Sequence, residues 1–249
     1  MAARVNPYVK RIASLVDEQD TNRAIQVFVK RKRSPQQSLD ALARSLGVTA
    51  IVEERLPFEG GLFELEGGKL LIKLNSLSSV ARRRFTLAHE IAHLLLGTVP
   101  AFRKAHGSDV ALESACDSVA AELLMPSEEG LEFVRQLGAP APEKLQVVAS
   151  KYSVSLQAAA IRVHSDFKLW KCCVGFWELD PDIKTRWFVG KRRWDRVEPD
   201  SYSFELAVSA TRAVKSTELW QTGPYSDPVS LNLLHLGNDR VLGLVDSAR

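Results

Sequence analysis

Cysteine is scarce. The chain has three, two of them adjacent (Cys172, Cys173), and they can build neither a disulfide framework nor a Cys-x-x-Cys zinc site. Such usage points to a reducing, cytoplasmic setting. Long hydrophobic runs are also missing, and none approaches the roughly eighteen apolar residues of a membrane span. The opening residues, Met1-Ala2-Ala3-Arg4-Val5-Asn6-Pro7, lack the apolar core of a secretion signal. These readings set the expectation of a cytoplasmic chain with no membrane partner. A net charge of +3 is too small by itself to argue for nucleic acid. With 45% hydrophobic and 25% charged residues, the composition is that of an ordinary globular protein. At 249 residues it exceeds one typical domain, so two or three compact units are expected.

Histidine is nearly as sparse, with five in the chain, yet two fall in His89-Glu90-Ile91-Ala92-His93. Residues four apart lie about 40° apart around a helix, so both imidazoles can reach one ion. Glu90 flanks the same face and can touch a water on that ion without being a ligand. This is the metalloprotease pattern, two nitrogens on zinc and a carboxylate as general base. A chance match is expected in on the order of one per cent of such chains. Phe85, Leu87, Ala88, Ile91, Ala92, Leu94, Leu95 and Leu96 make the helix apolar nearly all round, which reads as buried. Buried histidines and a buried glutamate are costly without a metal or partners. Gly97 reads as the C-cap.

A catalytic zinc needs a third protein ligand and an open fourth position. Leu112 to Pro126 has a helical pattern ended by the proline, with Leu112, Ala115, Val119, Leu123 and Leu124 on its buried side. Glu113 and Asp117 share one stripe near that side. Glu113 is the candidate third ligand, and Asp117 can hold the outer nitrogen of a ligand histidine. A solvated helix edge explains the same two acids as well, and spacing does not choose. His106 is a weaker candidate, thirteen residues past His93 in a loop-like stretch. The metzincin spacing fails, because its glycine and histidine places hold Leu96 and Val99.

The run Arg83-Arg84-Phe85-Thr86-Leu87-Ala88-His89-Glu90-Ile91-Ala92-His93-Leu94-Leu95-Leu96 is followed by a second. That one reads Glu113-x-x-Cys116-Asp117-x-x-Ala120-x-x-Leu123-Leu124-Met125-Pro126. Together they resemble the ImmA/IrrE family of metallopeptidases over roughly residues 35–165. The resemblance implies that His89, His93 and Glu113 bind the metal and that Glu90 is the base. Asp117 departs mildly from the asparagine frequent in the family, which leaves the ligand set intact. The metal implied is Zn²⁺, or Mn²⁺ or another divalent ion. The resemblance also implies a narrow protein substrate, a Cro-like helix-turn-helix repressor whose cleavage serves stress response or mobile-element regulation.

The expected fold class is α+β, in four parts. Residues 1–33 form a helical lead-in, with Ile12, Leu15, Val16, Ala24, Ile25 and Phe28 at helical spacing and the basic run Lys30-Arg31-Lys32-Arg33 after it. Residues 34–126 form a zincin-like metallopeptidase domain. Its first helix opens at Ser34-Pro35 and stops at Gly47. A β-rich stretch from Val48 follows, then a hairpin around Gly67-Gly68 and the two ligand helices. A sheet edge beside the metal helix can receive an extended peptide as an added strand. Residues 127–165 read as helices resembling a helix-turn-helix. Gln157 and Arg162 are a thin supply of base-reading side chains, so packing or substrate docking is favoured over DNA binding. Residues 166–249 hold all five tryptophans and read as a mainly β domain for sensing or partner binding. Strands are expected at Cys173–Leu179, Thr185–Gly190 and Val241–Val245.

The favoured function is an intracellular metallo-endopeptidase. His106, Tyr152 and His164 are guesses for the oxyanion donor, none supported by spacing. The alternatives are a metal-stabilised regulator that cuts nothing, or a toxin–antitoxin or phage-related protein acting by binding alone.

Overall fold

The computed structural model describes Val29 and residues 38–96, 110–190, 198–222 and 225–247. The expected lead-in helices, the basic run, the Gly97 cap, His106 and Trp194 lie outside the described residues. The chain divides into two compact units, Met1–Ser127 and Glu128–Arg249. Both are mixed, with helices on small sheets, as an α+β chain requires. Among the described residues no helix is long and apolar enough to cross a membrane.

The first unit begins with α1 (Leu39–Ser45), which turns Leu39, Leu42 and Ala43 inward. Its N-cap is Ser38, whose hydroxyl accepts from the Ala41 amide; Ser34 and Pro35 lie outside the described residues. β1 (Val48–Glu54), β2 (Gly60–Glu64) and β3 (Leu70–Asn75) form a three-stranded sheet in the order β1-β3-β2. β1 runs parallel to β3, and β2 antiparallel to it. The expected hairpin is present, but its loop spans Glu66–Gly68 and closes where the Leu65 amide donates to the Lys69 carbonyl. Gly67 and Gly68 both take positive φ, 77° and 74°.

α2 (Val80–Leu95) starts at Ser79, whose side chain accepts from the Arg82 amide. It packs on β2, β3 and α1, and more extensively on α3 (Val110–Leu124). Gly60 permits the close approach to β2: a Cβ there would sit 2.8 Å from the Thr86 methyl of α2 and 2.5 Å from the Lys73 carbonyl oxygen. Arg83 ties the helix start to the sheet through the Ser76 and Ser78 carbonyls and through Glu53 at 3.2 Å. Its role is structural. Past α3, the buried Glu122 carboxylate accepts from the Ser127 amide at 2.9 Å and hydroxyl at 2.6 Å, at the start of α4 (Ser127–Leu137).

In the second unit, α5 (Pro142–Tyr152) and α6 (Leu156–Ile161) follow, and a π turn (Arg162–Asp166) extends α6. Arg162 is buried, paired with Asp166 at 2.9 Å and lying over the Phe167 ring. Its guanidinium is engaged within its own unit.

The antiparallel sheet has the order β5-β4-β8-β7-β6, from β4 (Cys173–Leu179), β5 (Ile183–Val189), β6 (Val214–Thr222), β7 (Tyr225–His235) and β8 (Arg240–Ser247). α7 (Ser201–Ser209), α5 and α6 pack on its strands. Phe204 and Ala207 of α7 join Trp177, Val229, Leu231, Leu233, Val241 and Val245 in one core. Burying a tryptophan such as Trp177 is worth on the order of 4–6 kcal/mol of transfer free energy. The three cysteines are free and buried, and burial with help from Asp246 pushes the Cys172 thiol up to about 12.

Trp177 fits only because two cross-strand partners, Gly175 on β4 and Gly243 on β8, leave its indole room. A Cβ at Gly175 would lie 2.3 Å from two ring carbons, and one at Gly243 2.7 Å from a third. In an ordinary strand alanine is no worse than glycine. Here Gly175→Ala is expected to cost about 1–3 kcal/mol, seen as a lower urea midpoint followed by tryptophan fluorescence. An unchanged midpoint would remove the indole from this notch.

Candidate metal centre

The centre lies in the first unit, between α2 and α3. From Thr86 to Leu95, α2 is buried at most positions, so its polar residues enter a largely dry surrounding. His93 is 1% exposed and Glu90 5%, while His89 keeps 16% of its side chain accessible. α3 buries Cys116, Val119, Ala120 and Leu123. That stripe is turned slightly from the expected one, for Leu112 and Ala115 are only half-buried. The turn brings Glu113, Cys116 and Asp117, three and four residues apart, onto the side facing the histidines.

The four predicted side chains meet there. His93 Nε2 lies 3.1 Å from His89 Nε2, and Glu113 Oε2 lies 3.2 Å from His89 Nε2 and 3.7 Å from His93 Nε2. Asp117 Oδ1 accepts from His89 Nδ1 at 2.8 Å, the position expected of it. A carboxylate only accepts, so this bond leaves the His89 Nε2 lone pair free for an ion. Burial pulls the His89 imidazole down, but the Asp117 hydrogen bond and the charges of Glu90, Asp117 and Glu113 outweigh it and hold His89 above its usual range. The cluster therefore favours positive charge at this point.

The donor set fits a divalent metal. Bonds of about 2.0–2.1 Å in a tetrahedron set ligand atoms roughly 3.3 Å apart, and the three separations here bracket that value. His89, His93 and Glu113 form the one group of metal-ligand type among the described residues.

Sequence reasoning missed Cys116. Its Sγ lies 3.3 Å from His93 Nδ1, fully buried. The signal was its place three residues after Glu113, hidden by assigning the inner stripe to Ala115. Two guesses for an oxyanion donor are engaged within the second unit. Tyr152 donates to Glu129, and His164 Nδ1 donates to the Cys172 carbonyl at 3.0 Å.

The sequence model of one family, described as the IrrE N-terminal-like domain, matches residues 34–164. The chain belongs to this ImmA/IrrE peptidase family. The radiation response metalloprotease IrrE of Deinococcus radiodurans is 33% identical over 111 residues. That match takes in 42% of this chain and 33% of the relative, so the chain spans about a third of that protein's length. A solved Mycobacterium tuberculosis transcriptional regulator shares the fold over 96% of this chain and 78% of its own, with a TM-score of 0.58 at 13% identity.

Alanine at His89, His93 or Glu113 is expected to abolish stoichiometric binding of a divalent ion, measured by elemental analysis after dialysis against dilute zinc. Alanine at His164 or His235, far along the chain in the second unit, is expected to leave occupancy unchanged.

Proposed function

We propose that the chain is a zinc-dependent metallo-endopeptidase of zincin-like architecture acting in the cytoplasm. The observation that carries this reading is the convergence of two imidazole nitrogens and one carboxylate oxygen beside a buried Glu90. Family membership supports it. His89, His93 and Glu113 would hold the ion. When bound, zinc polarises the scissile carbonyl and acidifies an attacking water. Glu90 receives the proton of that water on its carboxylate and delivers it to the departing amine nitrogen, so acid and base are one side chain in turn. Asp117 keeps the His89 ring from swinging and fixes its tautomer.

A substrate also has to be laid across the ion in an extended form. β2 is one of the two edges of the three-stranded sheet among the described residues and packs on α2, so a peptide pairing with its outer backbone groups would lie beside the metal helix. Zinc is favoured over Mn²⁺ or other divalent ions by the two-nitrogen, one-oxygen donor set. For the substrate we favour a Cro-like helix-turn-helix repressor, its cleavage releasing stress-response or mobile-element genes, as the family resemblance implies. The paired helices α5 and α6 are taken as packing elements, since Arg162 is committed to Asp166 and Phe167.

The test is Glu90→Gln. The variant is expected to bind zinc as the parent does and to lose about 10²–10⁴-fold in cleavage of a repressor or of a proteome-derived peptide library, followed by mass spectrometry. Full biological effect retained in that variant would instead make the chain a regulator that binds without cutting.

A further inference from the structure

The outer nitrogens of the two histidines are served by adjacent residues of one helix, Asp117 for His89 and Cys116 for His93. They differ in chemistry and setting. The Asp117 side chain is 58% exposed, whereas Cys116 is fully buried. We infer that Cys116 is a positioning residue: its sulfur accepts the Nδ1–H of His93 and so holds the imidazole with Nε2 toward the ion. This inference rests on the metal reading of the site proposed above.

Three observations carry it. The first is the distance: 3.3 Å from Sγ to Nδ1 is within reach of a hydrogen bond to sulfur. The second is helical register. Glu113, Cys116 and Asp117 stand at i, i+3 and i+4, so one face of α3 supplies a ligand and a support for each of the other two ligands. The third is burial. His93 is 1% exposed, so water has little access to orient its ring, and a protein group has to do so.

The choice of sulfur has a consequence. A carboxylate pulls strongly on Nδ1–H and makes the imidazole a better donor to the ion, whereas a neutral thiol pulls weakly. A second carboxylate at residue 116 would add a buried negative charge beside Glu90 and Glu113, which the interior disfavours. The thiol supplies an acceptor without a charge. The two histidines are therefore unequal ligands, His89 the stronger and His93 the softer.

Two replacements separate this role from packing. Cys116→Val fills the space and cannot accept, while Cys116→Ser accepts through oxygen. Zinc affinity measured by competition with a chromophoric chelator is expected to fall about tenfold in Cys116→Val and to stay within about threefold of the parent in Cys116→Ser. The visible spectrum of the Co²⁺-loaded protein is expected to change in Cys116→Val and to be restored in Cys116→Ser. Equal affinity and equal spectra in parent and valine variant would overturn the inference, as would equal losses in both variants. A measurement on the parent alone guards against a variant that does not fold: ¹⁵N-histidine spectra of the zinc-loaded protein are expected to show His93 protonated at Nδ1, and the opposite tautomer would also overturn it. A parent that binds neither Zn²⁺ nor Co²⁺ would instead sink the metal reading itself, a distinguishable failure.

Discussion

How closely α2 and α3 approach decides what the site can do. Glutamate reaches only a few ångströms from its backbone, so Glu113 can meet two imidazoles on another helix only if the two axes run near each other. Both helices are buried along these faces: Ala88 and Ala92 on α2 and Ala120 on α3 are completely buried. Ile91, Leu96, Val119 and Leu123 then fill the surrounding volume, as tightly as a core needs to fix the distance. The 3.2 and 3.7 Å separations of Glu113 from the two imidazoles depend on this approach, whereas the 3.1 Å between the imidazoles is set within α2.

Electrostatics works in the same direction. Two imidazoles, a buried Glu90, Glu113 and Asp117 crowd into one corner. Burial alone would make His89 less basic, yet the surrounding acids win. The charges of Glu90, Asp117 and Glu113 thus favour a positive group beside them, as a divalent cation would be. In a half-dry setting with an effective dielectric constant of about 20, a single pair of unit charges 4 Å apart already interacts by about 4 kcal/mol.

Much of the centre is legible in sequence because α2 is a local object. Two histidines and a glutamate inside an apolar helix specify their own relative positions, and the next helix offers few acids to choose among. The limits appear wherever a residue's meaning depends on distant chain. A rotation of α3 by a fraction of a turn moves Cys116 from an incidental place in a motif to a contact with His93, and periodicity is too coarse to see that. Arg162 looks like a base-reading side chain until Asp166 and Phe167 close around it. Parallel pairing of β1 with β3 leaves no local mark, since the partners are set by the whole sheet. The strands β6 and β7 carry charged and polar residues among the apolar ones, and Pro228 interrupts β7, so their pattern reads as irregular chain. α7 had a readable start, for Asp200 caps it by accepting from the Ser203 amide, but its nine residues are too short for a clear repeat.

The boundary between family and fold is informative for the same reason. The family match ends at residue 164, whereas the second compact unit begins at Glu128. Helices α4 to α6 therefore belong to the family segment by sequence and to the second unit by packing. Val148, Ala149, Ala159 and Ala160 are buried in that unit, where α5 lies on β7 and β8 and α6 on β5. Cutting the chain at the end of the match would strip these apolar faces of the sheet that covers them, at about 25 cal/mol for each Å² returned to water. The five-stranded sheet is thus part of what covers the last family helices.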